Sequence, residues 1–69
     1  MNETEEGVVT ALLPSALVKV ELDGGGQVTA HVAEELRRVS VPLKPGARVR
    51  VRRAMQDPNR ASIVGVVRV

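Results

Sequence analysis

Hydrophobic and polar positions alternate with a period of two along most of the chain, which is the repeat of a strand with one buried face. Val18, Val20 and Leu22 alternate with Leu17, Lys19 and Glu21, and Val28, Ala30 and Val32 alternate with Gln27, Thr29 and His31. Val49 and Val51 alternate in the same way with Arg48, Arg50 and Arg52. Breakers bound each run. Gly7 to Leu13 stops at Pro14 and Ser15, and Leu17 to Leu22 stops at Asp23, Gly24, Gly25 and Gly26. Lys44, Pro45 and Gly46 turn the chain into the strand from Ala47 to Arg53, and Asp57, Pro58 and Asn59 turn it into the strand from Ala61 to Val69. That final run is apolar on both faces, as expected of a strand paired on both sides. Between the third and fourth strands, Ala33 to Arg38 has the composition of a short helix, followed by an extended connector carrying Pro42.

Five strands with a short helix between strands 3 and 4 predict an all-β, five-stranded Greek-key barrel of the kind that binds oligonucleotides and oligosaccharides. Residues 1 to 6, Met-Asn-Glu-Thr-Glu-Glu, predict a disordered acidic tail, and residues 7 to 69 the folded domain. With 69 residues there is room for one core. Because the chain has no Phe, Tyr or Trp, that core is built of Val, Leu, Ile and Ala. The absence of cysteine excludes a disulfide scaffold, a thiolate metal site and a thiol nucleophile, and it suits a reducing cytoplasm. An acidic N-terminus is the opposite of an export signal. The apolar stretch from Gly7 to Val20 is interrupted by Thr10, Pro14, Ser15 and Lys19, short of the roughly 20 apolar residues of a membrane span.

Charge changes the picture more than composition does. Residues 1 to 35 carry one lysine against seven acids, and residues 36 to 69 carry nine Lys or Arg against Asp57, although the net charge is only +2. A segregated basic surface would attract a polyanion; strands of the two halves lying side by side would cancel it. Arg48, Arg50 and Arg52 share one strand face about 6.7 Å apart, close to the spacing of successive phosphates. They read as a backbone-binding row or as an edge strand charged against aggregation. Catalysis has little to work with. His31 is the sole histidine, Asp23 and Asp57 lie in turns, and no metal-ligand spacing occurs, so no enzyme, cofactor or metal is expected. On pattern alone His31 is a solvated surface residue or an RNA contact. Gly24 to Gly26 precede a strand and not a helix, which makes them a hairpin turn and not a phosphate loop. Glu34 and Glu35 beside Arg37 and Arg38 form either an exposed recognition turn or a salt-bridged surface, and Met55 reads as a gap-filling contact.

The order Gly7-Val8-Val9, Leu13-Pro14, Val20-Glu21-Leu22, Gly25 and Val28-Thr29-Ala30-His31-Val32 resembles the bacterial translation initiation factor one family. The resemblance continues without gaps to about Arg68 through Leu36-Arg37-Arg38, Gly46, Val49, Val51, Asp57 and Ile63. It implies an OB-fold of the S1-like kind, without enzymatic activity. A cytoplasmic monomer is expected, bound at the A site of the small ribosomal subunit to 16S rRNA and a ribosomal protein, alongside other initiation factors. His31, Arg37 and Arg38 hold family-like positions, and Arg60 stands where the family often has a basic residue. The chain departs from the pattern on its surface. Glu34-Glu35-Leu36-Arg37 replaces Gly-Lys-Met-Arg, Ser40-Val41-Pro42-Leu43 replaces Tyr-Ile-Arg-Ile, Met55-Gln56-Asp57-Pro58 replaces Pro-Tyr-Asp-Leu, and Ser62 and Val66 replace arginines. Meanwhile Arg48, Arg50, Arg52 and Arg53 add charge to the fourth strand, as in a divergent member or second copy.

The expected RNA-binding set is therefore His31, Arg37, Arg38, Arg48, Arg50, Arg52 and Arg60. A general single-stranded RNA or DNA binder of the cold-shock kind is the alternative, weakened by the lack of aromatic rings on which bases stack. A protein-interaction barrel recognised through its acidic tail or the Glu34-Glu35 turn is a third reading.

Overall fold

A computed structural model describes residues 4–33 and 43–67. Five strands run in chain order: β1 Thr4–Leu13, β2 Leu17–Leu22, β3 Gln27–Val32, β4 Arg48–Arg53 and β5 Arg60–Val66. They close into a barrel in the order β1-β2-β3-β5-β4, with β4 returning to β1. Every pairing is antiparallel except that of β3 with β5. This is the expected five-stranded oligonucleotide-binding topology, and β5 is paired on both sides, as expected. Beyond Ala33, the short helix expected over residues 33–38 lies outside the described residues.

The alternation seen in the sequence becomes the inside and outside of the barrel. Val9, Val18, Val20, Leu22, Val28, Ala30, Val49, Val51, Ala61 and Ile63 form the buried core, against which Leu43 and Ala47 pack. Val32, expected inside, is only half-buried at the end of β3. No polar or charged side chain is buried among the described residues, so apolar contact alone fills the barrel. Each buried Val or Ile contributes about 1.5–3 kcal/mol relative to an exposed one. β-branched side chains suit both the pleat and a narrow interior.

The start of β1 differs from the sequence expectation. Thr4, Glu5 and Glu6, assigned to a disordered tail, pair with Arg52, Val51 and Arg50 of β4. The tail assignment rested on the absence of apolar residues, but a strand edge is held by backbone hydrogen bonds and here also by side-chain charge. Gly7 and Val8 pair with both neighbours, Gly7 opposite Leu22 of β2 and Val49 of β4. A Cβ on Gly7 would stand 2.5 Å from the carbonyl oxygen of Glu21 and 2.8 Å from a Val20 methyl, so only glycine fits. A register shift between Val9 and Ala11 then bends the strand.

Two tight turns fold β1, β2 and β3 onto one another. The β2–β3 turn takes Gly25 and Gly26 to φ 105° and 87°, as its glycine run predicts. The β1–β2 turn holds Ser15 and Ala16 at φ 65° and 61° without any glycine.

Candidate nucleic-acid interface

The pleat of β4 sends Val49 and Val51 inward and Arg48, Arg50 and Arg52 outward, with Arg53 exposed at the strand's end. Because β4 lies against the start of β1, this row meets the acidic residues of the other half of the chain. Arg48 ion-pairs with Glu6 at 3.5 Å and with Asp23, which sits in the β2–β3 turn. Arg50 reaches the second oxygen of Glu6 at 3.4 Å. Arg53 donates to both carboxylate oxygens of Glu5, at 2.6 and 3.1 Å. Hydrogen bonding to Asp23 and the attraction of its charge, with a smaller share from Glu6, hold the Arg48 pKa above the ordinary arginine value and outweigh desolvation. The acidic first half and basic second half are thus interleaved along the β1–β4 seam, and much of the charge asymmetry cancels there.

Arg52 has a different setting. It faces Thr4 on one side and Ser62 of β5 on the other, and Ser62 in turn lies beside His31 of β3. Ser62 Oγ is 3.1 Å from His31 Nε2. At about 4.8 Å per strand, Arg52, Ser62 and His31 form a row about 10 Å long across three strands. Two residues back along β5, Arg60 lies beside Thr29, which faces Lys19 of β2. Arg52, Arg60 and Lys19 have no ion pair among the described residues.

The β4–β5 loop borders this row. Ala54 N–H donates to the Arg60 carbonyl at 2.8 Å, Asn59 N–H donates to Asp57 Oδ1 at 3.0 Å, and Thr29 N–H donates to the Asn59 carbonyl at 2.9 Å. These bonds hold the loop over the end of β3 and make a shallow groove of about 410 Å³. His31 from β3, Arg60, Ala61 and Ser62 from β5, and Ala54, Gln56 and Asp57 from the loop line it. Met55, expected to fill a gap, is instead 90% exposed at the loop's tip. The groove offers a guanidinium, an imidazole, a hydroxyl, an amide and a carboxylate around two alanines. That is a set suited to hydrogen-bonding and apolar contact with a polar, planar ligand, with cations outside it for phosphates.

Of the expected RNA-binding residues, the structure brings His31, Arg52 and Arg60 to one side of the barrel and Arg48 and Arg50 to an acid-lined seam. Arg37 and Arg38 lie outside the described residues. Sequence reasoning missed Ser62, noted there only as a lost arginine, as the partner of His31. Gln56 and Asp57 were also missed as groove residues. The turn signal of Asp57-Pro58-Asn59 marked the loop, but nothing in it marked which strand the loop would cover. Among the described residues no cluster of three or more His, Asp or Glu could hold a metal ion, and no helix is long and apolar enough to cross a membrane.

No family model matches the chain. Solved structures do. Translation initiation factor one from the Wolbachia endosymbiont strain TRS of Brugia malayi superposes with a TM-score of 0.77 and 32% sequence identity, over 96% of this chain and 78% of that one. YjeQ from Thermotoga maritima superposes with a TM-score of 0.75 over 96% of this chain and 23% of that one. Its identity of 19% makes it a likeness of fold alone.

Proposed function

The chain belongs to the family of bacterial translation initiation factor one, and from that premise we propose that it binds the small ribosomal subunit at the decoding A site through rRNA. It acts there by occupancy, in the cytoplasm, as a monomer without cofactor or chemical step. Its partners are 16S rRNA, a ribosomal protein and the other initiation factors.

The observation that carries this reading is the row of Arg52, Ser62 and His31 beside the Arg60 groove. Arg52 and Arg60 are exposed and without a carboxylate partner among the described residues. OB-folds bind oligonucleotides on the face of strands 2 and 3 and with the β1–β2 and β4–β5 loops. The groove lies between β3 and the second of these loops. Arg52 and Arg60 neutralise phosphates and set register, while His31, Ser62 and Gln56 meet sugar and base edges. Arg37 and Arg38 extend the set by their family-like positions in the sequence. Because the chain has no Phe, Tyr or Trp, stacking comes only from the planes of His31 and the guanidinium groups.

Co-sedimentation with purified small subunits tests the proposal. The wild type is expected in the subunit pellet at low salt, and the His31→Ala/Arg60→Ala and Arg37→Ala/Arg38→Ala proteins in the supernatant with unchanged circular dichroism. Absence of the wild type from the pellet at low salt sinks the reading. If short unstructured oligonucleotides are then bound tightly, the protein is a general single-strand binder.

A further inference from the structure

The seam between β1 and β4 holds a charge arrangement that the proposed ribosomal role does not use. Arg48, Arg50 and Arg52 project from one strand face at the two-residue interval that tracks successive phosphates, yet only Arg52 is without an acid partner among the described residues. Glu6 sits between the other two, one carboxylate oxygen on each guanidinium, and Asp23 pairs with the same Arg48 nitrogen as Glu6.

These acids are fixed in place by backbone and not merely attracted. Glu6 is in the β1–β4 ladder opposite Arg50, and its carbonyl accepts a hydrogen bond from Asp23 N–H at 3.0 Å. A phosphate approaching Arg50 or Arg48 could break the exposed ion pairs at little cost, since such pairs are individually weak. It could not remove the carboxylate, which stays a few ångströms away and repels it. The same residues arranged without Glu6 and Asp23 would continue the cationic row from Arg52 to Arg48 over about 13 Å.

We propose that the Arg48 and Arg50 part of the outer face of β4 is a second nucleic-acid phosphate-binding surface kept closed by Glu6 and Asp23, and that these acids limit the working interface to the Arg52, His31 and Arg60 side. Glu6 and Asp23 are therefore specificity-determining residues: they lower affinity for nucleic acid at large and leave the groove side as the productive one. This holds whichever RNA the groove side takes, so it stands independently of the A-site reading.

The test is fluorescence anisotropy with a labelled ten-nucleotide oligouridylate from 50 to 300 mM salt. It compares the wild type with Glu6→Gln and with Glu21→Gln, which makes the same charge change on exposed β2 away from any ion pair among the described residues. Each arginine released to a phosphate steepens the slope of log affinity against log salt by about 0.7, which is about fivefold tighter binding at 0.1 M salt. Glu6→Gln is expected to show that gain. Glu21→Gln is expected to stay within about twofold of the wild type with its slope unchanged, and Glu6→Gln/Arg50→Gln to lose the gain. Asp23→Asn, in a turn, provides a second release should Glu6→Gln melt below the assay temperature. Equal gains from Glu6→Gln and Glu21→Gln, or no gain in affinity and slope over the wild type from either Glu6→Gln or Asp23→Asn, overturn the proposal.

Discussion

Gly7→Ala gives the sharpest test of the barrel's construction. Gly7 stands where β1 passes from β4 to β2, and the added methyl would lie 2.5 Å from the Glu21 carbonyl oxygen and 2.8 Å from Val20 Cγ1. The Val20 methyl is fully buried and the Glu21 oxygen is backbone, so neither retreats without moving β2. Overpacking against two atoms closer than 3 Å lies at the upper end of the usual range, about 3 kcal/mol. Alanine returns about 0.5–1 kcal/mol of strand preference over glycine, so a net loss of about 2–2.5 kcal/mol is expected. A 69-residue domain has roughly 3–10 kcal/mol in all, and each kcal/mol moves the midpoint by about 4–8 °C. The substitution should lower Tm by about 8–20 °C. Gly65→Ala is the control: its Cβ would meet Arg50 Cβ at 3.9 Å, ordinary contact, and stability should stay within about 1 kcal/mol of wild type. Without Trp, Tyr or Phe the protein is silent in intrinsic fluorescence, so urea and thermal unfolding are followed by far-ultraviolet circular dichroism or calorimetry. A Gly7→Ala protein within about 0.5 kcal/mol of wild type, or equal losses at Gly65 and Gly7, would refute the close approach of β1 and β2.

Ile63→Val removes one methylene from a fully buried core position and should cost about 0.5–1.5 kcal/mol, measured by urea unfolding at constant m-value. Ala16→Gly relieves a left-handed backbone at φ 61° and should raise stability by about 0.5–1 kcal/mol; a loss of stability would mean the turn is not left-handed in solution. A double-mutant cycle on Glu5 and Arg53, whose side chains are each 39% exposed, should give a coupling of about 0.2–1 kcal/mol that shrinks with added salt. Arg52→Ala should reduce small-subunit affinity and lower the salt slope, with Tm unchanged, because it has no ion pair among the described residues to lose.

The strands were legible because each carries its own period: Val18, Val20 and Leu22, or Val49 and Val51, announce a buried face within six residues. The start of β1 was not, because Thr4, Glu5 and Glu6 show no such alternation and are ordered by a strand more than forty residues away. The left-handed backbone at Ser15 and Ala16 had no glycine to reveal it. The site was legible in part. Arg48, Arg50 and Arg52 were rightly placed on one outer face, but their meaning depends on which strand lies alongside, and pairing between distant strands leaves no mark in a local pattern. For the same reason Ser62 looked like a lost charge until the parallel register set it beside His31.

The two long-range seams also set the order in which the molecule can assemble. β1, β2 and β3 form a meander of neighbouring strands joined by tight turns, so their loops close quickly and at small entropic cost. Closing the barrel instead requires β5 to reach β3 in parallel and Glu5 to find Arg53, 48 residues away. Until that happens the meander exposes Val18, Val20, Val28 and Ala30 on one face and two unpaired edges. Folding should thus pass its highest barrier at closure, and opposite charges facing each other across the last seam favour the correct encounter over pairing with another copy of the chain.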